Sequence, residues 1–247
     1  MNDRDPTSVF LSVVFPAYNE ETRIAASLDA TVAYLAGKPF VSEVIVVDDG
    51  SHDRTAEAAG AALAGRVPSR VIRRENNRGK GASVKEGVLA ASGEVILFSD
   101  VDLSTPIGEL DKALAALQAD ADVAIGSRAL PGSDIEVRQR RPRELMGKVF
   151  NLLVRLLVLK GYRDTQCGFK AFRRAAAMDI FSRLRTDGFG FDVEVLVLCR
   201  ELGYLVAEVP VVWRDSRPSR VRFFRGSLAM LRELLRIRRF SRSSRNG

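Results

Sequence analysis

The chain has 247 residues, 46% hydrophobic and 28% charged, the balance of a folded protein long enough to bury a sizeable core, which excludes global disorder. Its formal net charge of +7 is uneven: residues 217–247 hold ten arginines and one glutamate, so the rest of the chain carries about −2. The opening MNDRDPTSVF lacks the basic start and apolar run of a secretory signal, and the longest apolar stretch, VFNLLVRLLVL, is broken by Arg155 and shorter than the ~20 apolar residues a membrane span needs. A protein with no transmembrane helix is expected, with Cys167 and Cys199 as reduced, buried thiols of a cytosolic chain rather than a disulfide.

Short β-branched runs predict strands at 10–16, 43–49, 69–74, 94–100 and 121–128, and helical patterns fall between them near 20–37, 53–64, 80–91 and 107–118. Strands separated by helices of this length predict parallel βαβ units and an α/β, doubly wound, mostly parallel sheet. Such sheets bind ligands beyond the carboxyl ends of their strands. The residues that follow the strands are PAYNE, DDGS, NNRGKG, DVDLST and SR, all suited to polar or phosphate ligands. The second half reads as a basic loop at 137–144, an apolar helix to about 159, the segment RDTQCGFKAF, an acidic and aromatic stretch TDGFGFDVEVL, a strand near 204–213 and a final amphipathic helix. The last seven residues, SRSSRNG, read as a disordered tail.

Asp100 and Asp102 end the fourth strand in EVILFSDVDLSTP. Taken alone the pair has three readings: carboxylates holding a divalent cation against a diphosphate, nucleophile and acid of a haloacid-dehalogenase-like phosphatase, or a turn cap. Asp48 and Asp49 end the second strand, where an Asx turn and a helix cap account for one acid but not both. Pro16, Ala17, Tyr18, Asn19 and Glu20 follow the first strand, placing an aromatic ring and an acid where a nucleoside would lie. NNRGKGASVKEG departs from the GxxxxGK[ST] spacing of a P-loop, yet Gly79, Lys80 and Gly81 at a helix start suit an anion. His52, the one histidine, reads as a turn residue.

The order of these motifs argues against the phosphatase, in which the DxD strand comes first. PAYNE, VVDDGS, GKG, SDVDLS and GSR in sequence resemble the nucleotide-binding half of inverting family-2 glycosyltransferases with a GT-A fold. With RDTQCGFKAF and FDVEVL the resemblance narrows to the polyprenyl- and dolichyl-phosphate sugar synthases, most like the dolichyl-phosphate glucosyltransferase branch, over roughly residues 9–237.

The resemblance implies that Pro16, Tyr18, Glu20, Val47 and Asp49 surround the base and ribose, with Ala17, Asp48, Lys80, Val101 and Ser104 completing the nucleotide-sugar site. Asp100 and Asp102 become the DxD acids that hold Mg²⁺ or Mn²⁺, and Arg128 a fixed cation for phosphate. Ser104 stands where the mannosyl branch often has Gln. Asp164 is placed beside the acceptor; a lipid phosphate is largely ionised near neutral pH, so both orienting and base roles stay open for it. Lys170, Asp192, Arg220 and Arg222 are candidates on the acceptor side, Asp192 and Glu194 also reading as first-turn acids of a helix.

The implied activity is hexose transfer from a nucleotide sugar to polyprenyl or dolichyl phosphate with inversion, UDP-glucose favoured and GDP-mannose second; a noncatalytic membrane-binding homologue is the remaining alternative. The expected organisation is a tail at 1–8, a nucleotide-sugar half at 9–128, an acceptor half at 129–215, a basic amphipathic segment at 216–240 and a tail at 241–247. Leu228, Met230, Leu231, Leu234 and Leu235 fall opposite Arg225, Arg232, Arg236 and Arg239, which fits either packing on the domain or an anionic membrane surface on the cytoplasmic face. Without interleaved aromatics or a known module, nucleic acid is not an expected partner, and the oligomeric state stays open.

Overall fold

The computed structural model describes residues 8–137, 147, 151, 152, 154, 158, 159, 161–215 and 233–238. Four β-strand and α-helix pairs open the chain: β1 (Leu11–Ala17), α1 (Ile24–Ala36), β2 (Ser42–Asp48), α2 (Thr55–Leu63), β3 (Ser69–Arg73), α3 (Lys80–Ala90), β4 (Val95–Ser99) and, after a short 3₁₀ turn, α4 (Leu110–Gln118). Then follow β5 (Val123–Ser127), β6 (Asp134–Val137), β7 (Phe169–Arg173), α5 (Arg174–Arg183), α6 (Phe191–Leu202), β8 (Val206–Pro210) and β9 (Val212–Arg214). Gly147, Asn151, Leu152 and Val154, within the expected apolar helix, are helical, as are residues 233–238.

Among the described residues the main sheet has seven strands in the order β3-β2-β1-β4-β7-β5-β8, and β6 pairs with β9 in a second, two-stranded sheet. All neighbours in the main sheet are parallel except β7, which runs antiparallel to both β4 and β5. The α/β, mostly parallel expectation therefore holds. The strands read as continuous apolar runs because both faces are covered. Along β4, Val95 and Leu97 join one core with Leu28 of α1 and Leu110 of α4, while Ile96 and Phe98 join the other with Val84 of α3, Ile180 of α5 and Phe191 of α6. Fully buried rings such as Phe98 and Phe172 each contribute about 2 kcal/mol of transfer free energy.

Two differences from the sequence expectation bear on the site. RDTQCGFKAF supplies a central strand: Phe169 and Ala171 face one core and Phe172 the other, but Lys170 in the middle disguises the alternation. The expected strand at 204–213 divides at Val211 into β8, in the main sheet, and β9, in the small one. The two cysteines are free and buried, as expected; burial pushes Cys167 up to about 11 and Cys199 up to about 12, so both are inert thiols at neutral pH. No helix among the described residues is long and apolar enough to cross a membrane. Leu234 and Ile237 are buried in the core that holds Phe191, so the segment 233–238 packs on the domain.

Candidate functional site

Parallel pairing puts the carboxyl ends of β1, β2, β4 and β5 on one edge of the sheet, and the motif loops follow from them. Ala17 stands opposite Asp48 in the β1–β2 register, and Asp49 N donates to Ala17 O at 2.9 Å. The two loops are then cross-linked: Asn19 N donates to Ser51 Oγ at 2.8 Å, His52 N to Asn19 Oδ1 at 2.9 Å, and Glu20 N to Thr55 Oγ1 at 2.7 Å. Asn19 takes a left-handed φ of 54°, which its short polar side chain tolerates, and this turns the chain out of the sheet. Tyr18 is exposed, its ring edge-on to His52 with centroids 6.4 Å apart. Glu20 is paired with Arg23, at the start of α1, which takes both its oxygens, Nη2 at 2.6 Å and Nε closer still.

Asp48 and Asp49 differ sharply. Asp49 is saturated, Oδ1 accepting from Arg78 N and Arg74 Nη1 at 3.0 Å each and Oδ2 from Gly79 N at 2.8 Å. It therefore builds the loop before α3. Asp48 gives Oδ1 to Ser51 N at 3.1 Å and to the Ser51 hydroxyl, while its buried Oδ2 has no hydrogen-bond donor among the described residues and lies 3.7 Å from Arg73 Nε. A buried acceptor left unmade costs about 1–3 kcal/mol, which a ligand N–H would recover. Val47 and Val101 are core residues whose side chains belong to opposite hydrophobic clusters, so the expected contacts with base and sugar fall to their backbones.

Lys80, the first residue of α3, reaches Asp100 Oδ1 at 2.5 Å. Burial works against the Lys80 ammonium, but Asp100, Asp192 and Asp102 outweigh it and raise its pKa. Asp100 is itself raised, first by burial and then by Asp102 and Asp192, with Lys80 opposing. Asp100 N donates to Gly168 O at 2.9 Å, anchoring the acid to the start of β7. Asp102 Oδ1 accepts Ser104 N at 3.0 Å, and Leu103 between them has φ of 45°. The turn-cap reading thus holds for one oxygen of Asp102 and not for Asp100. Ser104 O in turn accepts Arg214 N at 2.8 Å.

At the end of β5, Arg128 and Asp164 form a forked pair, Nε to Oδ2 at 2.6 Å and Nη2 to Oδ1 at 2.9 Å. Arg128 N and Gln166 N also donate to the carboxylate. Burial favours a neutral Asp164, yet these donors hold it down at about 2. Burial likewise opposes the Arg128 charge, and Asp164 outweighs it, raising Arg128 above its ordinary value. Asp164 is thus held ionised near neutral pH, and Arg128, stacked 5.6 Å from Trp213, is held in place by it. Glu208 of β8 supports the same loop, accepting Arg163 N and Asp164 N.

Lys170 corrects an expectation. Its side chain has no exposed surface; the ammonium donates to Cys167 O at 2.7 Å and pairs with Asp192, 5.4 Å over the Phe98 ring. It holds Asp192 and does not clamp an acceptor phosphate directly. Glu194 is also committed, accepting Arg185 N and Thr186 N. Arg220 and Arg222 lie outside the described residues. Sequence reasoning missed Arg23, Arg74 and Glu208. Arg23 stands three residues after Glu20, the spacing of a helical ion pair, and Glu208 is a lone acid inside an apolar strand; both signals were available.

The site thus brings together Asp100, Asp102, Asp164 and Asp192 with Lys80, Lys170 and Arg128, four carboxylates against three cations. Among the described residues no cluster of three His, Cys, Asp or Glu side chains forms a cage for a metal.

Residues 12–181 match glycosyl transferase family 2. The dolichyl-phosphate beta-glucosyltransferase of Drosophila melanogaster is 39% identical over 246 residues, which span 94% of this chain and 76% of that protein. The human protein of that name is 39% identical over 241 residues, 92% of this chain and 74% of its own length. Among solved structures, glucosyl-3-phosphoglycerate synthase from Mycobacterium tuberculosis, in complex with Mn²⁺, UDP-glucose and phosphoglyceric acid, has a TM-score of 0.71 at 23% identity, covering 93% of this chain and 78% of that one. Its complex with Mg²⁺ and UDP gives a TM-score of 0.68.

Proposed function

The chain belongs to glycosyl transferase family 2, with the GT-A fold, and from that premise we propose that it transfers glucose from UDP-glucose to dolichyl or a related polyprenyl phosphate with inversion. The observation that carries the reading is the edge where an orphaned acceptor, Asp48 Oδ2, lies on one strand end, the Lys80–Asp100 pair on another and the Arg128–Asp164 fork on a third. Asp48 Oδ2 is the acceptor for an N–H of the base, and exposed Tyr18 is the ring that covers the nucleoside.

The donor set fits a divalent metal. Mg²⁺ is commonly held by one or two carboxylates together with substrate phosphates, and Asp100 and Asp102 supply two without a third protein ligand. When bound, Mg²⁺ or Mn²⁺ would neutralise charge on the departing diphosphate. Lys80 stands by Asp100 as a second cation for the same group, and Arg128 supplies the third.

The acceptor, a phosphate monoester, is largely ionised near neutral pH and attacks without surrendering a proton. On this reading Asp164 orients Arg128 and takes no proton from the acceptor. Residues 9–128 serve the nucleotide and 129–215 the acceptor, while the basic segment from 216 holds the enzyme against an anionic membrane surface on its cytoplasmic face.

The test is a screen of radiolabelled UDP- and GDP-sugars against polyprenyl phosphates, with and without EDTA. Glucose transfer from UDP-glucose that EDTA abolishes is the expected result; transfer from GDP-mannose alone, or transfer untouched by EDTA, overturns the donor or the metal assignment.

A further inference from the structure

The segment after residue 216 contains ten arginines and a single acid, Glu233, and that acid faces inward. Its Oε2 accepts Gly190 N at 2.8 Å. Its carboxylate lies flat on the 188–190 backbone: a side chain at Gly190 would begin 2.6 Å from Oε2, and one at Gly188 would collide with Oε1. Leu234 and Ile237, on either side of the next turn, are buried beside Phe191 and fix the carboxylate in this position.

The loop beneath Glu233 is the one on which the Lys80 turn is moulded. Ala82 N donates to Asp187 O at 3.2 Å. A side chain at Gly79 would begin 2.5 Å from Asp187 O, and one at Gly81 would strike Thr186 O and the Phe191 side chain. On its other side the loop is held by Glu194, through Arg185 N and Thr186 N. Two carboxylates from different parts of the chain thus clamp one loop, and the opposite surface of that loop sets the backbone that aims Lys80 at Asp100.

We propose that Glu233 is a positioning residue for the nucleotide site: through Gly188–Gly190 and then Thr186–Asp187 it fixes the Gly79–Lys80–Gly81 turn, so that the seating of residues 233–238 and the placement of the Lys80 ammonium are one event. The contacts run without a gap from the C-terminal helix to the acid pair. The consequence for diphosphate binding rests on the function proposed above; the mechanical linkage does not.

The test compares Glu233→Ala, Glu233→Asp and Glu233→Gln in the full chain, by amide hydrogen exchange and by titration with UDP and Mg²⁺. Loss of the carboxylate is expected to speed exchange at the Ala82 amide and across 186–190 by about tenfold, and to weaken UDP–Mg²⁺ binding by a similar factor, with exchange in β1 and β2 unchanged. Gln keeps an oxygen for Gly190 N–H and restores most of both; Asp, one methylene short, falls between. A merely structural role would leave the Ala82 amide unmoved while 233–238 loosened, and that result overturns the proposal. Should the Ala variant unfold, the same reading on the Asp variant decides. A wild type that binds no UDP–Mg²⁺ would count against the proposed function, and the Ala82 amide would still report on the linkage.

Discussion

Lys80 and Asp100 meet at 2.5 Å across the space between the start of α3 and the end of β4, each shifting the other's charge balance in a half-buried setting. The pair makes a cationic and an anionic group available at one point, the first for phosphate and the second for a metal.

Removing Lys80 and removing Asp102, the second acid of the motif, therefore have distinct effects. Lys80→Met is expected to raise the KM for the nucleotide sugar about tenfold or more, while Asp102→Asn lowers kcat by about a hundredfold with metal retention impaired. Both variants should keep the wild-type circular dichroism spectrum. Transfer assays over a range of Mg²⁺ concentrations make the distinction, and Asp102→Asn activity at the wild-type level would refute the metal assignment.

Asp164 makes a pH prediction with a definite sign. Its folded pKa of about 2 lies below the ordinary 3.8, so its contribution to stability is present above about pH 4 and is lost as pH falls through 2. That contribution is about 2 kcal/mol. Asp164→Asn should flatten the acid limb of the stability curve measured by denaturant titration from pH 2 to 5, and the activity of that variant should not be rescued by raising pH. Rescue at high pH would identify Asp164 as a base.

Lys170 and Asp192 form a buried pair whose single removals strand a charge. Lys170→Met and Asp192→Asn are each expected to cost about 3–5 kcal/mol, and the double variant less than their sum, by about 1–3 kcal/mol. Urea unfolding of the four proteins measures the coupling; strict additivity would mean the pair is not the stabilising unit.

The C-terminal helix divides into a core face and a solvent face. Leu234→Ala should destabilise the protein by about 3 kcal/mol, whereas reversing charge at Arg238 should leave the unfolding free energy within about 0.5 kcal/mol and weaken binding to anionic vesicles. Vesicle co-sedimentation at two salt concentrations is the measurement. Because Leu234 and Ile237 are buried, deleting residues 226–247 would open the core as well as remove charge, and the paired substitutions separate the two effects.

The α/β alternation was legible from 10 to 128 because β1, β2, β4 and β5 are buried and rich in apolar residues, while the exposed edge strand β3 was legible from its β-branched pair Val71 and Ile72. β7 was not, since Lys170 looks like a solvated charge until Asp192, twenty-two residues on, is placed against it. The acids of the motifs were legible as types, but their division of labour was not. Asp48 and Asp49 are adjacent and alike in sequence, and only the folded loops reveal that backbone amides of Arg78 and Gly79 occupy one and leave an oxygen of the other without a hydrogen-bond donor among the described residues. Glu233 was hidden for the same reason: its partner is a backbone N–H, which no side-chain pattern announces.

The antiparallel strand at the centre of the sheet also constrains how the protein is made. β4 is complete at Ser99, but the strand that covers its free edge begins only at Phe169. On a ribosome adding ~5–20 residues per second, that edge stays open for roughly 4–14 seconds, and β5 emerges in the interval with neither of its neighbours yet made. Val95–Phe98 is an unbroken apolar run, the kind of edge that recruits strands from other chains. During synthesis, then, the vulnerable surface of this protein is a strand that ends up buried at the heart of its sheet, and slowing translation between residues 100 and 168 should lower its soluble yield more than slowing it anywhere after 173.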